Sequence, residues 1–234
     1  MLNISLPDNQ NRRLSFYLAM EEYVARKFGG RDCFFIWQVE PSVIFGRNQV
    51  MENEVNIDYC IGHNIKMYRR KSGGGCVYAD MNNLMFSLVS QCENVGFAFN
   101  RYMQMMILLF RKLGVEAVSS KNNDIMIAGH KVCGTACYKT GRHCIVHGTM
   151  LYDTDIENMS HAITPTTAKL EKNGVKSVRQ RICLLKDFTD VGIDEIKDLA
   201  VNLFCNEEYV LTDDDIEAIE KKGAAAFSIG MIEN

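Results

Sequence analysis

Residues 69–88 read RRKSGGGCVYADMNNLMFSL, and the three consecutive glycines at 73–75 constrain the fold more than any other feature of the chain. Glycine loses more backbone entropy on folding than any other residue, so no helix or strand runs through such a triplet. The chain must turn there, and the alternating apolar residues on its far side predict that it leaves the turn as a strand. Two readings of the turn stay open on pattern alone. It is a tight hairpin with basic neighbours, or its N–H groups, flanked by Arg69, Arg70 and Lys71, cradle an anion.

Around this turn the pattern predicts one α/β domain spanning all 234 residues. Residues 13–28 carry apolar side chains at helical spacing, and 97–113 repeat the pattern up to Gly114. Strands are expected at 33–38, 42–45, 65–70, 76–78, 84–89 and 144–151, with a hairpin over 124–137 turning at Gly129. Short helices are expected at 53–63, 155–162 and 166–171, a basic loop at 174–181, and longer helices at 194–203 and 213–222. Clustered hairpins argue against regular βαβ alternation, so the sheet is expected to be mixed or largely antiparallel, flanked by helices. The segment from Gly223 reads as loosely ordered or packed on a partner.

Composition narrows the function classes. The net charge of −3 does not suit a chain that coats nucleic acid, and the longest apolar stretch, around 103–110, is too short to span a bilayer. The nine cysteines contain no C-x-x-C pair, which speaks against a zinc site or a disulfide scaffold and for a reducing, cytoplasmic setting.

Four segments hold polar residues that secondary structure does not explain: Arg69–Gly75; Asn122, Asn123 and Asp124; Gly129–Ala136 (GHKVCGTA); and His147-Gly148-Thr149 inside an apolar strand. Taken singly, Lys131 reads as a solvated strand lysine or a ligand-binding ammonium. Asp124 reads as an Asx turn or a ligand for a hard cation, and His147 as a buried histidine or a ligand contact.

Together, RRKSGGGCVYADMNNLMFS, NDI, GHKVCGTACY, HGTML and GVKSVRQRI follow the order and spacing of the lipoate–protein ligase A family, and VIFGRNQVMENEVN resembles a further segment of it. The resemblance covers roughly residues 10–190. It implies the catalytic fold shared with biotin–protein ligases and related to class II aminoacyl-tRNA synthetases. It implies two steps: lipoate and ATP give lipoyl-adenylate, and a carrier lysine then takes the acyl group. The implied carriers are the E2 lipoyl domains of 2-oxoacid dehydrogenases and the glycine cleavage H protein.

On this resemblance Lys131 is the catalytic lysine. Arg70, Ser72, Gly73, Gly74, Gly75, Val77, Tyr78, Asn83, Asn123, Asp124, Gly134, Ala136, His147, Gly148 and Thr149 bind substrate or adenylate. Lys176, Ser177, Val178 and Arg179 belong to a loop over the adenylate, and Met20 and Trp37 to the lipoyl slot. Mg2+ is expected with ATP, held by Asp124. The chain departs from the family in two respects. Ala79 stands where a histidine is common, and a 234-residue chain is expected to lack the accessory C-terminal domain. That second departure leaves room for a separate small accessory protein. It also leaves open another reaction class, octanoyl or lipoyl transfer between carriers through a cysteine thioester. Cys133, Cys137 and Cys76 lie near the implied site, but none at the position such transferases use.

Overall fold

The computed structural model describes residues 1–8, 10–92, 94–120, 123–164 and 178–227. An eight-stranded sheet runs in the order β11 (Glu207–Val210), β1 (Leu2–Ser5), β2 (Cys33–Trp37), β6 (Asn83–Gln91), β10 (His143–Leu151), β9 (His130–Thr140), β8 (Asp124–Ile127), β7 (Val118–Ser119). β1 pairs parallel with β11 and β2, and every other pairing in this sheet is antiparallel. A second, three-stranded sheet holds β4 (Lys66–Arg69), β3 (Ser42–Phe45) and β5 (Val77–Ala79). The mixed, largely antiparallel architecture expected from the sequence is what the chain adopts, divided over two sheets.

Helices cover both faces of the large sheet. α1 (Leu14–Lys27) and α7 (Asp213–Phe227) pack on one side with Ile145, Val89 and Phe35. α3 (Val95–Lys112) and α6 (Ile193–Phe204) pack on the other with Phe86, Leu88 and Val146. Being covered twice, β6 and β10 are buried along almost their whole length, and their sequences read as near-continuous apolar runs. α1 follows from good helix formers with Arg26 and Lys27 in its last turn, where cations meet the negative helix end. α2 (Ile57–Gly62), α4 (Ile156–Ala162) and α5 (Val178–Arg181) accompany the small sheet around its own apolar cluster of Val43, Phe45 and Tyr78.

Several expectations need correction. The helix expected over 53–63 is a 3-10 turn at Met51–Asn53 followed by α2. Residues 178–181 form a helical turn; the rest of the expected basic loop, and the helix expected at 166–171, lie outside the described residues. The segment after Gly223 continues α7 through Phe227. A Cβ at Gly223 would lie 2.9 Å from the Ser15 carbonyl oxygen, so its missing side chain brings α7 against α1. Cys92 and Cys144 form a disulfide with a Cα separation of 5.8 Å. The antiparallel register that pairs Gln91 with His143 brings them together; the other seven cysteines are free thiols. No helix among the described residues is long and apolar enough to cross a membrane.

Candidate active site

Register assembles the site before any side chain is considered. Trp37 pairs with Met85, Met85 with Thr149, Thr149 with Gly134, and Gly134 with Asp124, a row that crosses β2, β6, β10, β9 and β8. One step along, Phe35, Ser87, His147 and Ala136 form a parallel row. Residues two apart share a face, so His147 and Thr149 look the same way. Beneath that face lies a cavity of about 180 Å³. Leu18, Trp37, Ile44, Val77, Met85 and Ala136 supply its apolar lining, and Asp124, Lys131 and Arg181 its charged part.

The glycine turn forms one wall, and its basic residues are fully engaged. Arg70 is 6% exposed. Its guanidinium donates to the carbonyls of Ile44, Gly73 and Gly75, each at 2.8 Å, and to Ser72 Oγ at 3.0 Å. Burial lowers its pKa to about 10, so it stays charged at neutral pH. Arg69 donates to the carbonyls of Arg47 and Gln49 and stacks over Phe45, while Lys71 pairs with Glu22. Gly46 lets the turn close on the preceding loop: a Cβ there would sit 2.0 Å from the Gly74 carbonyl oxygen. The basic residues flanking the glycines therefore hold loop carbonyls and a carboxylate.

Behind this wall runs a buried polar chain. Trp37 Nε1 donates to Ser87 Oγ at 2.9 Å, and Ser87 donates to Glu21 Oε1 at 2.7 Å. His147 Nδ1 faces the same carboxylate at 2.9 Å, and Nε2 faces Ser72 Oγ at 2.8 Å. A carboxylate only accepts, so Nδ1 carries the proton toward Glu21. In the neutral ring Nε2 then accepts from Ser72, whose oxygen accepts from Arg70. Burial and the neighbouring Glu21 push the Tyr138 hydroxyl pKa well up. Ser72, His147 and Glu21 have the connectivity of a hydrolytic triad but not its access. Ser72 is fully buried and absent from the cavity lining, and its oxygen is already bonded on both sides. The chain joins α1, the sheet and the glycine turn.

The opposite wall carries charges of another kind. Asp124 accepts from Lys131 Nζ on Oδ1 at 2.8 Å and from Arg181 Nη2 on Oδ2 at 2.6 Å. A Cβ at Gly134 would lie 2.5 Å from Lys131 Nζ, so Gly134 clears the path of that ammonium across the strand.

Of the residues expected from sequence, the structure brings Arg70, Gly74, Gly75, Val77, Asp124, Lys131, Gly134, Ala136, His147, Gly148, Thr149 and Trp37 to the cavity. Ser72 and Gly73 support the turn behind it through Arg70. Tyr78 points to the small-sheet core because strand alternation sends it opposite Val77. Asn83 is fully buried and donates to Thr154. Met20 lies in the core under α1, and Leu18 takes the lining position instead. Asn123 is exposed, and its carbonyl accepts from Thr135. Val178 packs on the small-sheet cluster and Arg179 is exposed; Lys176 and Ser177 lie outside the described residues. Sequence reasoning missed Leu18, Ile44, Met85, Thr135 and Arg181. For Arg181 a signal existed, since it stands in the same VRQRI string two residues beyond Arg179.

Comparison with known proteins identifies the family and the fold. Residues 14–205 match the family model of the lipoyl protein ligase A/B catalytic domain. Lipoate–protein ligase 1 of Staphylococcus aureus is 35% identical over 87% of this chain, and the match spans 65% of that relative's length. A crystal structure of lipoate-protein ligase A bound with ATP superposes with a TM-score of 0.83 at 26% identity, covering 95% of this chain and 94% of the other. A Thermoplasma acidophilum protein described as a putative lipoate protein ligase, with bound lipoic acid, gives 0.81 at 26% identity over 95% and 94%. From the same organism, a bi-partite lipoate protein ligase described together with its E2 lipoyl domain gives 0.81 at 27% over 95% and 91%.

Proposed function

Because the chain belongs to the lipoyl protein ligase A/B catalytic-domain family, we propose that it attaches lipoate to a specific lysine of lipoyl carrier domains, at the expense of ATP. One observation carries this reading. A single lysine, Lys131, stands in the charged part of a cavity whose apolar part, formed by Leu18, Trp37, Ile44, Val77, Met85 and Ala136, is a slot suited to an acyl chain. The lipoate carboxylate oxygen attacks the α-phosphorus of ATP, forming the acyl-adenylate and releasing pyrophosphate. The neutral carrier ε-amine then attacks the acyl carbon, AMP leaves with the bonding electron pair, and the nitrogen loses a proton to solvent to give the amide. Negative charge develops at the same place in both steps, and a fixed ammonium there lowers both barriers. The ATP-bound and lipoic-acid-bound relatives support both ligands.

Magnesium held by Asp124 fits the observed donor set poorly. Both Asp124 oxygens already face cations, so a metal there would have to displace Lys131 or Arg181. The E2 lipoyl domain described with the Thermoplasma ligase supports such a domain as carrier, with the H protein as a second candidate. The bi-partite nature of that ligase supports a separate small accessory partner here.

Cysteine-based transfer through Cys133 is disfavoured, because that thiol is fully buried outside the cavity with its pKa pushed up to about 12; Cys76 is the cysteine that lines the cavity. The deciding experiment is intact mass after incubation with lipoate, ATP and magnesium, with and without an E2 lipoyl domain and a candidate accessory protein. Bound lipoyl-adenylate and a lipoylated carrier are expected. An acyl-enzyme thioester formed from an octanoyl carrier, with no ATP dependence, would overturn the ligase reading.

A further inference from the structure

The segment that holds Arg181 is fastened to the strand that holds Lys131. Lys131 and Ile182 form a parallel bridge, and the Cys183 N–H donates to the Lys131 carbonyl at 2.9 Å. Arg181 and Lys131 therefore move as one unit, although 50 residues of sequence separate them. Their charged ends meet on the two oxygens of Asp124, which is almost buried. Two cations on one carboxylate leave the group with one positive charge in excess, directed into the cavity they line. A carboxylate with one donor on each oxygen presents the acceptor pair that two non-bridging phosphate oxygens present. Asp124 thus holds an ammonium and a guanidinium side by side, one on each of its oxygens.

Resting on the ligase reading above, we propose that Arg181 is a second phosphate-binding residue of the site, partnered with Lys131 and held in place by Asp124. The guanidinium is planar with five N–H donors. It keeps Asp124 on its Nη2 end and turns another edge to a phosphate oxygen of the nucleotide. Its ligand class is the phosphate of a nucleoside triphosphate or of the acyl-adenylate. The carboxylate of lipoate is left to Lys131.

The competing role is a staple that ties the helical turn 178–181 to β8, and calorimetry on the full chain separates the two. Lipoate alone and α,β-methylene-ATP alone are titrated into wild type, R181Q and R181K, with a thermal melt of each. R181Q is expected to weaken the nucleotide analogue by roughly tenfold or more, the scale of a lost charge-assisted hydrogen bond. Its lipoate affinity should stay within about twofold, and R181K should recover part of the loss through charge without the fork. The proposal is overturned if R181Q binds the analogue like wild type, or loses both ligands in parallel with a lowered melting temperature. Should R181Q fail to fold, R181K decides, because a selective loss for the analogue is still required of it. Wild type that binds neither ligand sinks the ligase reading itself, an outcome distinct from a wild type that binds both beside an R181Q equal to it.

Discussion

The two walls of the cavity use the same residue types to opposite ends. On the glycine wall, Arg70 is buried and directs four hydrogen bonds to three carbonyls and a hydroxyl of its own loop region. On the facing wall, Lys131 and Arg181 share one carboxylate. Cations already satisfied by rigid backbone have little left for a ligand, whereas cations gathered on a single carboxylate can turn to an incoming anion. On the proposed function, the first wall shapes the cavity and the second would supply its chemistry. Substitutions on the first should therefore act through stability, and those on the second through catalysis at nearly constant stability.

The hardest test of this division is Lys131→Ala. Adenylate formation should fall roughly a thousandfold, the scale of removing a preorganised charge donor, while the melting temperature barely moves because Arg181 still neutralises Asp124. Single-turnover mass spectrometry beside a thermal melt reads both quantities; near-normal adenylate would end the assignment. Arg70→Ala should reverse the pattern. It strands the buried Ile44 carbonyl and Ser72 hydroxyl and frees two more exposed carbonyls of the turn, and a loss of about 2–3 kcal/mol is expected in chemical denaturation. A stable Arg70→Ala protein with impaired nucleotide binding would move Arg70 to the reactive wall.

The sequence revealed the walls unevenly, and for physical reasons. Glycine runs and apolar alternation are local signals, so the turn, β5, β6 and the hairpin of β8 and β9 could be read directly. β1, β7 and β11 escaped notice: β7 has two residues and β11 is a half-exposed edge strand reading EEYV, neither offering periodicity. The carbonyl partners of Arg69 and Arg70 were not legible, because a guanidinium suits a carbonyl as well as a phosphate and only the fold shows which carbonyls come within reach. That Asp124 pairs with Arg181 could not be read from the sequence, because the two lie 57 residues apart. Tyr78 and Asn83 sit in strings shared with the family, yet a shared string does not say which face of a strand a residue occupies.

Gly134→Ala probes the reactive wall more gently. The new methyl would stand 2.5 Å from Lys131 Nζ and 2.7 Å from Cε, and the flexible end of the lysine must give way. Folding should be preserved within about 1 kcal/mol, while adenylation falls about 10- to 100-fold through misplacement of the ammonium. Equal activity would mean that the position of Lys131 is not critical. Glu22→Gln is the corresponding light touch on the structural wall, since Glu22 ties Lys71 of the turn to Lys222 of α7. Burial alone would raise the Glu22 pKa, but the hydrogen bonds from Lys222 and Lys71 prevail and hold it below its ordinary value. Its contribution is then complete above the ordinary carboxylate range and is lost as pH falls through the depressed value. Denaturation at neutral pH should show a deficit of about 1–3 kcal/mol for Glu22→Gln, because the carboxylate is buried, and the two proteins should converge in acid. A deficit that persists unchanged at low pH would show that charge is not the source.

Cys133→Ser should have the smallest effect, and it separates the two reaction classes. Cys133 faces the core shared with α3, the side of β9 away from the cavity. Its pKa of about 12 leaves almost no thiolate at neutral pH, and the thiolate is the form that attacks an acyl group. An adenylate mechanism therefore needs nothing from this sulfur. Serine is close in size to cysteine, so the substitution leaves the packing of β9 nearly unchanged. ATP-dependent lipoylation should stay within about twofold of wild type, because the atoms around the reacting phosphorus are untouched. A dead Cys133→Ser protein that still melts normally would require β9 to turn this side chain into the cavity during turnover. The wall assigned to charge would then hold a nucleophile, and the chemistry would be acyl transfer.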